Sequence, residues 1–573
     1  MYLGKKMKIL GISGYYHDSA AALVINGKVI SAQEEERFTG IKHDNRFPIN
    51  SIKWILKQNK LKINQIDKIV WYEDPKKKYE RFKEQYFKYF PKTIGFTKKL
   101  WNWKKDNDIE KIIRTELKYK GVIEYCEHHI AHLAYSFYTS PFENTDIVSV
   151  DGVGENETAI CALGLKGKYI QPLERNFFPH SLGLLYATIT AFLGFKPNSG
   201  EYKVMGLAGY GSSKDLYKKQ FEELAKVTVN NHIELNLKYF SFHYSDKIMF
   251  TTKMCELFGI APRVYESELK QIHKDIAFSL QAHYERLFFQ MLNYFQAHSK
   301  NENLCLSGGC AYNGLANGKI TKKTKYKNVY VPPAPSDAGS AIGAALWSWM
   351  KDINHNKRVE NINPYLGPSY NAVDYKNAIN STIYTIGKVE RFDNYHPLIE
   401  KVAGLINDGA IIGWFQDGSE FGQRALGNRS ILANPTISNI KPKVNRVIKK
   451  REGFRPFAPM VTFEDANKYF DMCGQEVPYM NQVFEVKDDF IASLPSITHI
   501  DGTARVQTVR STFNPLIYML LKKFEKKSGY PILLNTSFNL RGQTMVLDPI
   551  TAIKTFYDCE MDYLVLGNYL ISK

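Results

Sequence analysis

Residues Lys8–Gln33 read "KILGISGYYHDSAAALVINGKVISAQ". An apolar run ends at Gly14 in a polar turn, a second apolar run follows, and Asn26-Gly27 joins it to a third. Asn-Gly between two such runs is a hairpin signal, because a type I′ turn needs two residues that tolerate positive φ. The same grammar returns at Asp146–Leu173, "DIVSVDGVGENETAICALGLKGKYIQPL", with Lys166-Gly167 at the second turn. The repeat is one of pattern rather than of letters. In each copy the first strand runs into a glycine-containing turn with a carboxylate, Asp18 or Asp151, able to face a ligand. Two three-strand units, each trailed by helices, predict a duplicated α/β fold.

That duplication resembles the actin, sugar kinase and Hsp70 (ASKHA) group, in which nucleotide phosphates lie in the cleft between the halves. Two later stretches suit such a cleft. In "LCLSGGCAYNGLANGKI", Leu304–Ile320, an apolar strand opens into Ser307-Gly308-Gly309 and then a helix. Glycine there lets backbone approach a ligand, and N–H groups at a helix start attract phosphate. In "VYVPPAPSDAGSAIGAALW", Val329–Trp347, Asp337 stands ahead of a Gly/Ala-rich helix and is the only carboxylate between Glu302 and Asp352. It is either the N-cap of that helix or a ligand across the cleft.

The ligand reading depends on "YCEHHIAHLAYSFY", Tyr125–Tyr138. His128 and His132 are four apart, so on a helix their imidazoles share one face, one turn apart, and His129 points elsewhere. Such a pair can grip a metal, and it can equally be two helix histidines bonded to backbone or carboxylate.

At 573 residues the chain is too long for one core, and two to four domains are expected. No apolar run approaches the roughly 18 residues of a membrane span, and the N-terminal stretch has no h-region or cleavage site of a signal peptide. The seven cysteines form no CxxC pair, and their odd number argues against a disulfide framework, so a cytoplasmic protein is expected. The formal net charge of +18 raises nucleic acid as a partner. Much of the excess is local: Pro75–Lys105 carries eleven Lys/Arg against two Glu, with Tyr79, Phe82, Tyr86 and Phe90 at helical spacing. The favoured reading is an amphipathic helix whose aromatics pack on the body while its lysines stay wet.

Lys351–Pro364, "KDINHNKRVENINP", reads as a linker. Beyond it lie "GWFQDGSEFGQRALGNRSILANP" (Gly413–Pro435), "VNRVIKKREGFRPFAP" (Val444–Pro459), "DGTARVQTV" and "PILLNTSFNLRGQTMV". They carry Arg424, Arg429, Lys449, Arg451, Arg455, Arg505, Asn535, Ser537, Asn539 and Arg541. Partly buried guanidinium groups demand anionic partners, so these blocks point to a phosphate pocket, with ion pairing to Glu420 and Glu452 as the competing role.

Taken together, "GISGYYHDSAAAL", "EEERFTGIKHD", "EHHIAHLAYSFYTSPF", "GEYKVMGLAGYG", "LSGGCAYNG", "PSDAGSAIGAA", "SEFGQRALGNRSILANP", "KREGFRPFAP" and "LNTSFNLRGQ" resemble the NodU/CmcH-type O-carbamoyltransferases from residue 8 to the C-terminus. The resemblance implies a TsaD-like ASKHA transfer domain over residues 1–352, a linker over 353–364 and a YrdC-like domain over 365–573. It implies that carbamoyl phosphate and ATP, with Mg2+, give a carbamoyl-adenylate in the YrdC-like part, and that the carbamoyl group then passes to a hydroxyl of a small-molecule or sugar acceptor. It makes His128, His132 and Asp337 ligands of a divalent metal, usually iron. Two histidines and a carboxylate with open positions independently favour a hard divalent ion such as Fe(II) over a structural zinc. His17 and Lys42 match positions near the transfer site. Asp151, Ser181, Gly183 and the Ser307–Asn313 block, with Gly308 and Gly309, match nucleotide-binding loops. Lys449, Arg424, Arg455, Arg505, Asn535 and Ser537 match the carbamoyl-phosphate and ATP pocket, where Lys449 and Arg455 are the catalytic candidates. His17 is the candidate base for the acceptor hydroxyl, or else a histidine that orients substrate.

The competing readings are a tRNA threonylcarbamoyladenosine-type modifying enzyme, a small-molecule kinase of the ASKHA fold, and a nucleotide-gated binding protein. The local nature of the basic excess argues against nucleic acid, and a kinase has no use for paired histidines. A homodimer is the base-rate expectation. The acceptor is not written in the sequence.

Overall fold

The computed structural model describes residues 6–97, 108–352 and 363–573, apart from 386, 452 and 454. The expected linker, the end of the basic segment after Thr97, and Glu452 lie outside the described residues, wholly or nearly so. The chain forms two compact units. One comprises Met1–Ala32, Asn45–Asn313 and Ile320–Ile362; the other comprises Gln33–Asp44, Gly314–Lys319 and Asn363–Lys573. Neither unit is a continuous stretch of chain.

In the first unit, β1 (Lys8–Ser13), β2 (Ala20–Ile25), β3 (Lys28–Glu34), β4 (Lys68–Trp71) and β5 (Val122–Tyr125) form a sheet in the order β3-β2-β1-β4-β5. A second sheet contains β6 (Thr145–Val150), β7 (Glu157–Leu165), β8 (Tyr169–Phe177), β11 (Asn303–Ser307) and β12 (Asn328–Tyr330), in the order β12-β11-β6-β7-β8. Between them in the chain lies a small hairpin of β9 (Ala225–Val227) and β10 (Ile233–Leu235). The two sheets have one topology: β1 pairs antiparallel with β2 and parallel with β4, and β6 pairs antiparallel with β7 and parallel with β11. Both tight turns are left-handed as the dipeptides require, with φ of 49° and 79° at Asn26-Gly27 and 54° and 62° at Lys166-Gly167.

Two helices form the layer between these sheets. His128–Thr139 packs on β6 and β11, Asp337–Asp352 packs on β1 and β2, and the helices pack on one another. The small residues of the second helix permit this. A Cβ on Gly343 would come within 1.9 Å of the Ala131 carbonyl oxygen, and one on Gly339 within 2.3 Å of the Tyr135 ring. Backbone meets backbone there, which brings His132 and Asp337 onto one seam.

The second unit is built on a nine-stranded mixed sheet: β13 (Val389–Arg391), β14 (Ile412–Phe415), β15 (Arg429–Ala433), β16 (Ala458–Thr462), β17 (Gln482–Glu485), β18 (Thr503–Val509), β19 (Ile532–Ser537), β20 (Tyr563–Leu566) and β21 (Tyr569–Ser572). Their order is β13-β21-β20-β14-β15-β19-β16-β18-β17. Successive residues of a strand point to opposite faces, and here both faces are covered. Trp414, Leu432, Leu533 and Val565 meet the helices Tyr395–Asn407 and Pro515–Ser528 on one side. Phe415, Ile431, Leu534 and Leu566 meet Tyr375, Ile553 and Phe556 on the other. That explains apolar runs such as "PILL", where a half-exposed strand would alternate.

The helix Pro75–Lys88 departs from expectation. Its inward residues are Arg81 and Gln85, while Tyr79, Phe82 and Tyr86 are half-buried and Phe87 and Phe90 are exposed. Helical spacing shows that a stripe exists and leaves open which stripe faces the protein.

Among the described residues no helix is long and apolar enough to cross a membrane, and the seven cysteines are free.

Candidate active site

The seam between the two central helices carries four buried side chains whose ligand atoms lie within 4.8 Å of one another: His128, His132, Asp151 and Asp337. The Nε2 atoms of His128 and His132 are 3.1 Å apart, and each is 3.1 Å from Asp151 Oδ2. Asp337 Oδ1 stands 3.5 Å from His132 Nε2 and 3.8 Å from His128 Nε2. Neither Asp337 oxygen has a hydrogen-bond donor among the described residues, although the residue is fully buried. An N-cap carboxylate would accept a backbone N–H, so the capping role is excluded. A buried carboxylate without a donor is costly unless a cation meets it. Two imidazole nitrogens and two carboxylates around one point fit a divalent metal ion.

The surroundings hold the ligand atoms in place. His132 Nδ1 is 3.1 Å from Ser340 Oγ, which orients the ring so that Nε2 faces the cluster. Glu155 accepts the backbone N–H of His128 on both carboxylate oxygens, at 2.9 and 3.1 Å. His129 faces away, with Nδ1 2.8 Å from Ser149 Oγ and Nε2 3.1 Å from the Glu157 carbonyl. Burial, with the neighbouring His128 and His132, holds its pKa well below the usual range. For His128, burial opposes the charge, yet Asp337 and Asp151 override it and push the imidazole up to about 9. Burial also opposes the charge on Asp151, but the two histidines hold its carboxyl well below the carboxylate range.

Asp151, expected from the resemblance in a nucleotide loop, stands between the histidines and the glycine backbone. Oδ2 faces the histidines, while Oδ1 accepts the N–H of Gly152 at 2.7 Å and of Gly309 at 3.2 Å. Around it the glycine loops converge. Ser181 caps the helix Leu182–Phe192 through the Leu184 N–H and donates to the Gly152 carbonyl at 2.7 Å. A Cβ on Gly183 would meet the Asp151 carbonyl oxygen at 2.5 Å, and one on Gly308, with φ of 85°, the Val150 carbonyl oxygen at 2.2 Å. Ser307 accepts from Ser136 at 3.3 Å, and Asn313 pairs its amide with Gln281 at 3.0 and 3.1 Å.

His17 lies in the same unit, its Nδ1 3.5 Å from Asp18 Oδ2. Burial works against its charge, but Asp337, Asp18 and Asp151 push its pKa up to about 10. Lys42 falls in the other unit.

There Lys42 adds to the cationic group around Lys449. Burial, then Arg451, Arg455 and Lys42, depress the Lys449 ammonium well below the usual lysine value. Burial, then Arg424, Arg451 and Arg455, act the same way on Arg505. Lys449 Nζ donates to the Ser537 carbonyl, to Asn539 O at 3.0 Å and to Asn539 Oδ1 at 2.8 Å. Asn535 donates to Ala425 O and Gln507 Oε1, both at 2.8 Å, and its own Oδ1 has no donor among the described residues. Arg505 Nε likewise has no acceptor there. Cations that depress one another call for an anion of several oxygens.

Arg429 does not belong to this group. Its guanidinium donates to the carbonyls of Gln416, Asn428, Pro368 and Asp417 and lies 3.6 Å over the Phe415 ring. Backbone supplies every hydrogen-bond partner of the guanidinium, so the anion expected from the sequence is not needed. Glu420 is no ion-pair partner either: Oε1 accepts the N–H groups of Leu426, Asn428 and Arg429 at 2.8–3.1 Å and holds the turn.

Residues 8–346 match the family model described as carbamoyltransferase N-terminus, and residues 403–573 the one described as carbamoyltransferase C-terminus. The chain is 37% identical over 601 residues to the uncharacterized protein sll1178 of Synechocystis sp. (strain ATCC 27184 / PCC 6803 / Kazusa), covering 99% of this chain and 96% of that protein. It is 35% identical over 569 residues to the nodulation protein NolNO of Sinorhizobium fredii (strain NBRC 101917 / NGR234), covering 98% and 79%. Against the 3'-hydroxymethylcephem-O-carbamoyltransferase of Amycolatopsis lactamdurans it is 28% identical over 355 residues, covering 62% and 61%. With both family models matched in order along one chain, the protein belongs to the carbamoyltransferase family.

Proposed function

We propose that the chain makes carbamoyl-adenylate from carbamoyl phosphate and ATP in the second unit, and transfers the carbamoyl group to a hydroxyl of a small-molecule or sugar acceptor in the first. In this reading residues 1–352 form a TsaD-like ASKHA transfer domain and 365–573 a YrdC-like domain. The observation that carries it is the presence, in a carbamoyltransferase, of two sites of opposite chemistry: a mutually depressed cationic group around Lys449 and Arg505, and a buried histidine–carboxylate cluster.

In the cationic pocket water attacks the phosphorus of carbamoyl phosphate, the P–O bond to the carbamoyl oxygen breaks, and carbamate and inorganic phosphate form. The carbamate oxygen attacks the α-phosphorus of ATP, and pyrophosphate leaves. Lys449, Arg424, Arg455 and Arg505 hold the phosphate oxygens and offset the charge that gathers on them. Asn535 and Ser537 orient the substrates. In the first unit the acceptor oxygen attacks the carbamoyl carbon, and AMP leaves with the bonding pair of the broken C–O bond. The loops at Asp151–Gly152, Ser181–Gly183 and Ser307–Gly309 receive the adenylate. His128, His132, Asp337 and Asp151 would hold a divalent cation, Fe(II) by their donor set, which supplies Lewis acidity toward carbonyl or phosphate oxygen. His17, beside Asp18, takes the proton of the acceptor hydroxyl as general base, or else hydrogen-bonds the substrate and fixes its orientation.

The two sites should fail separately. Lys449→Ala should lose pyrophosphate release from ATP and carbamoyl phosphate, and should recover transfer when given chemically prepared carbamoyl-adenylate. Asp337→Ala should keep pyrophosphate release and stay inactive with the prepared intermediate. Rescue of Asp337→Ala, or no response from Lys449→Ala, would assign the steps to the wrong units. A kinase of this fold would show no such complementation.

A further inference from the structure

Arg81 lies on the inward face of the helix Pro75–Lys88, with 8% of its surface exposed. Its guanidinium stacks with two rings, 4.7 Å from the centroid of Phe82 and 5.2 Å from that of Phe178. Rings serve the flat faces of a guanidinium. The N–H groups point outward in its plane and need oxygen. Here they have none: Arg81 makes no hydrogen bond and no ion pair among the described residues, and its Nε is sealed from solvent without an acceptor. Glu73, a carboxylate in electrostatic reach of it, is engaged with Lys78 at 2.7 Å. Glu155 is committed to the backbone N–H groups of Asp74 and His128.

A buried cation of this kind costs several kcal/mol when nothing pairs with it. A chain that needed only packing at this position would lose nothing by carrying methionine there. The position relative to the transfer site gives the charge a use. Arg81 is within electrostatic reach of Tyr16, which is also in reach of Asp151 and Asp337. The Tyr16 ring centroid lies 4.6 Å from that of His17, and its hydroxyl lies 3.9 Å from where a Cβ on Gly152 would be. Arg81 thus stands on the Tyr16 side of the histidine–aspartate cluster.

We propose that Arg81 anchors an anionic group, a carboxylate or a phosphate, of the hydroxyl-bearing acceptor. The in-plane N–H groups would pair with two oxygens of that group, while Phe82 and Phe178 keep the guanidinium flat. This inference rests on the transfer reading above and names the class of acceptor: a hydroxyl compound that carries a negative charge.

Thermal unfolding of the full chain, with chloride replaced by acetate or by inorganic phosphate at fixed ionic strength, tests the anion site. Either anion should raise the wild-type Tm by about 1–2 °C more than it raises that of Arg81→Met. A difference with acetate alone identifies a carboxylate, and one with phosphate alone a phosphate. The cationic pocket of the second unit responds equally in both proteins and cancels. Arg81→Lys, which keeps the charge, should retain part of the response and provides the comparison if Arg81→Met does not fold. Equal responses of wild type and variants overturn the site. For the acceptor role, glucose, glucuronate and glucose 6-phosphate are offered with labelled carbamoyl phosphate and ATP. An anionic member should be favoured over glucose by about 10–100-fold in kcat/KM, a preference that Arg81→Met loses. No preference in the wild type overturns that role, and if none of the three is carbamoylated the anion comparison decides. Absence of pyrophosphate release by the wild type would count against the carbamoyltransfer reading and leave the anion comparison standing.

Discussion

His129 and His132 sit three residues apart on one helix, equally buried, and the structure gives them opposite duties. His132 turns Nε2 to the cluster, while His129 bonds Ser149 and the Glu157 carbonyl. Elemental analysis should therefore find about one divalent ion per chain in wild type and in His129→Ala, and most of it lost in His132→Ala. In His129→Ala the Tm should fall instead, by the equivalent of about 1–3 kcal/mol, because a hydroxyl and a carbonyl lose their partner. Metal loss from His129→Ala, or its retention in His132→Ala, would reverse the assignment. Asp151→Asn should also lose metal. At this scale the sequence was legible where spacing does the work: the four-residue interval pairs His128 with His132, and Asp337 stands out as a lone carboxylate. Asp151 reads as a turn residue after a strand, and its second role depends on β6 delivering it beside the histidine helix, which no local pattern reports. Arg429 misled for the converse reason. Four carbonyls brought round by its own glycine-rich turn and by Pro368 do what an anion would do, and the sequence records carbonyls at every position alike.

The helix Asp337–Asp352 shows how an element sets the distance between two side chains. Its glycines let the Ala131 backbone approach, and Gly343→Ala would place a methyl 1.9 Å from a carbonyl oxygen that cannot swing aside. The expected cost is about 2–3 kcal/mol, with the helices forced apart and metal content reduced. The same substitution at Gly404, inside Tyr395–Asn407, meets nothing within 4 Å and should stabilise by about 0.5–1 kcal/mol by restricting the unfolded chain. Opposite signs of the two Tm changes check the account; equal signs would refute it. The hairpins were readable because Asn26-Gly27 and Lys166-Gly167 specify a turn locally, and the repeated turn carries the repeated sheet with it. The helix Pro75–Lys88 was readable as a helix but not in its orientation. Its apolar stripe argued for one face inward, and a buried arginine beside two rings turned another.

On the scale of the whole molecule, a two-domain reading with a single linker divides the chain once. The chain instead passes between its two units at 32/33, 44/45, 313/314, 319/320 and 362/363. Gln33–Asp44 is bound into the second unit: Glu34 Oε1 accepts the Gly422 N–H at 2.7 Å, Arg37 donates to the Gly422 carbonyl at 2.6 Å, and Gln33 donates to Ser419 at 2.7 Å. Gly314–Lys319 does likewise, with Asn317 donating to the Asn481 carbonyl at 3.0 Å and Gly318 so close to Val483 that a Cβ would lie 1.8 Å from its carbonyl oxygen. Long-range anchorage of this sort leaves no mark in the segments themselves. A fragment starting at residue 363 should accordingly unfold at lower temperature than the second unit of the full chain and release pyrophosphate more slowly, since it lacks Lys42 and both anchors. A fragment as stable and as active as the intact chain would refute this. The interleaving also decides how the molecule can come apart. If the backbone is severed once between residues 352 and 363, the pieces are no longer joined covalently, yet the first still has two stretches stitched through the second. They should elute as one species and separate only in denaturant, so the protein behaves less like two beads on a string than like cloth sewn with a thread that outlasts one cut.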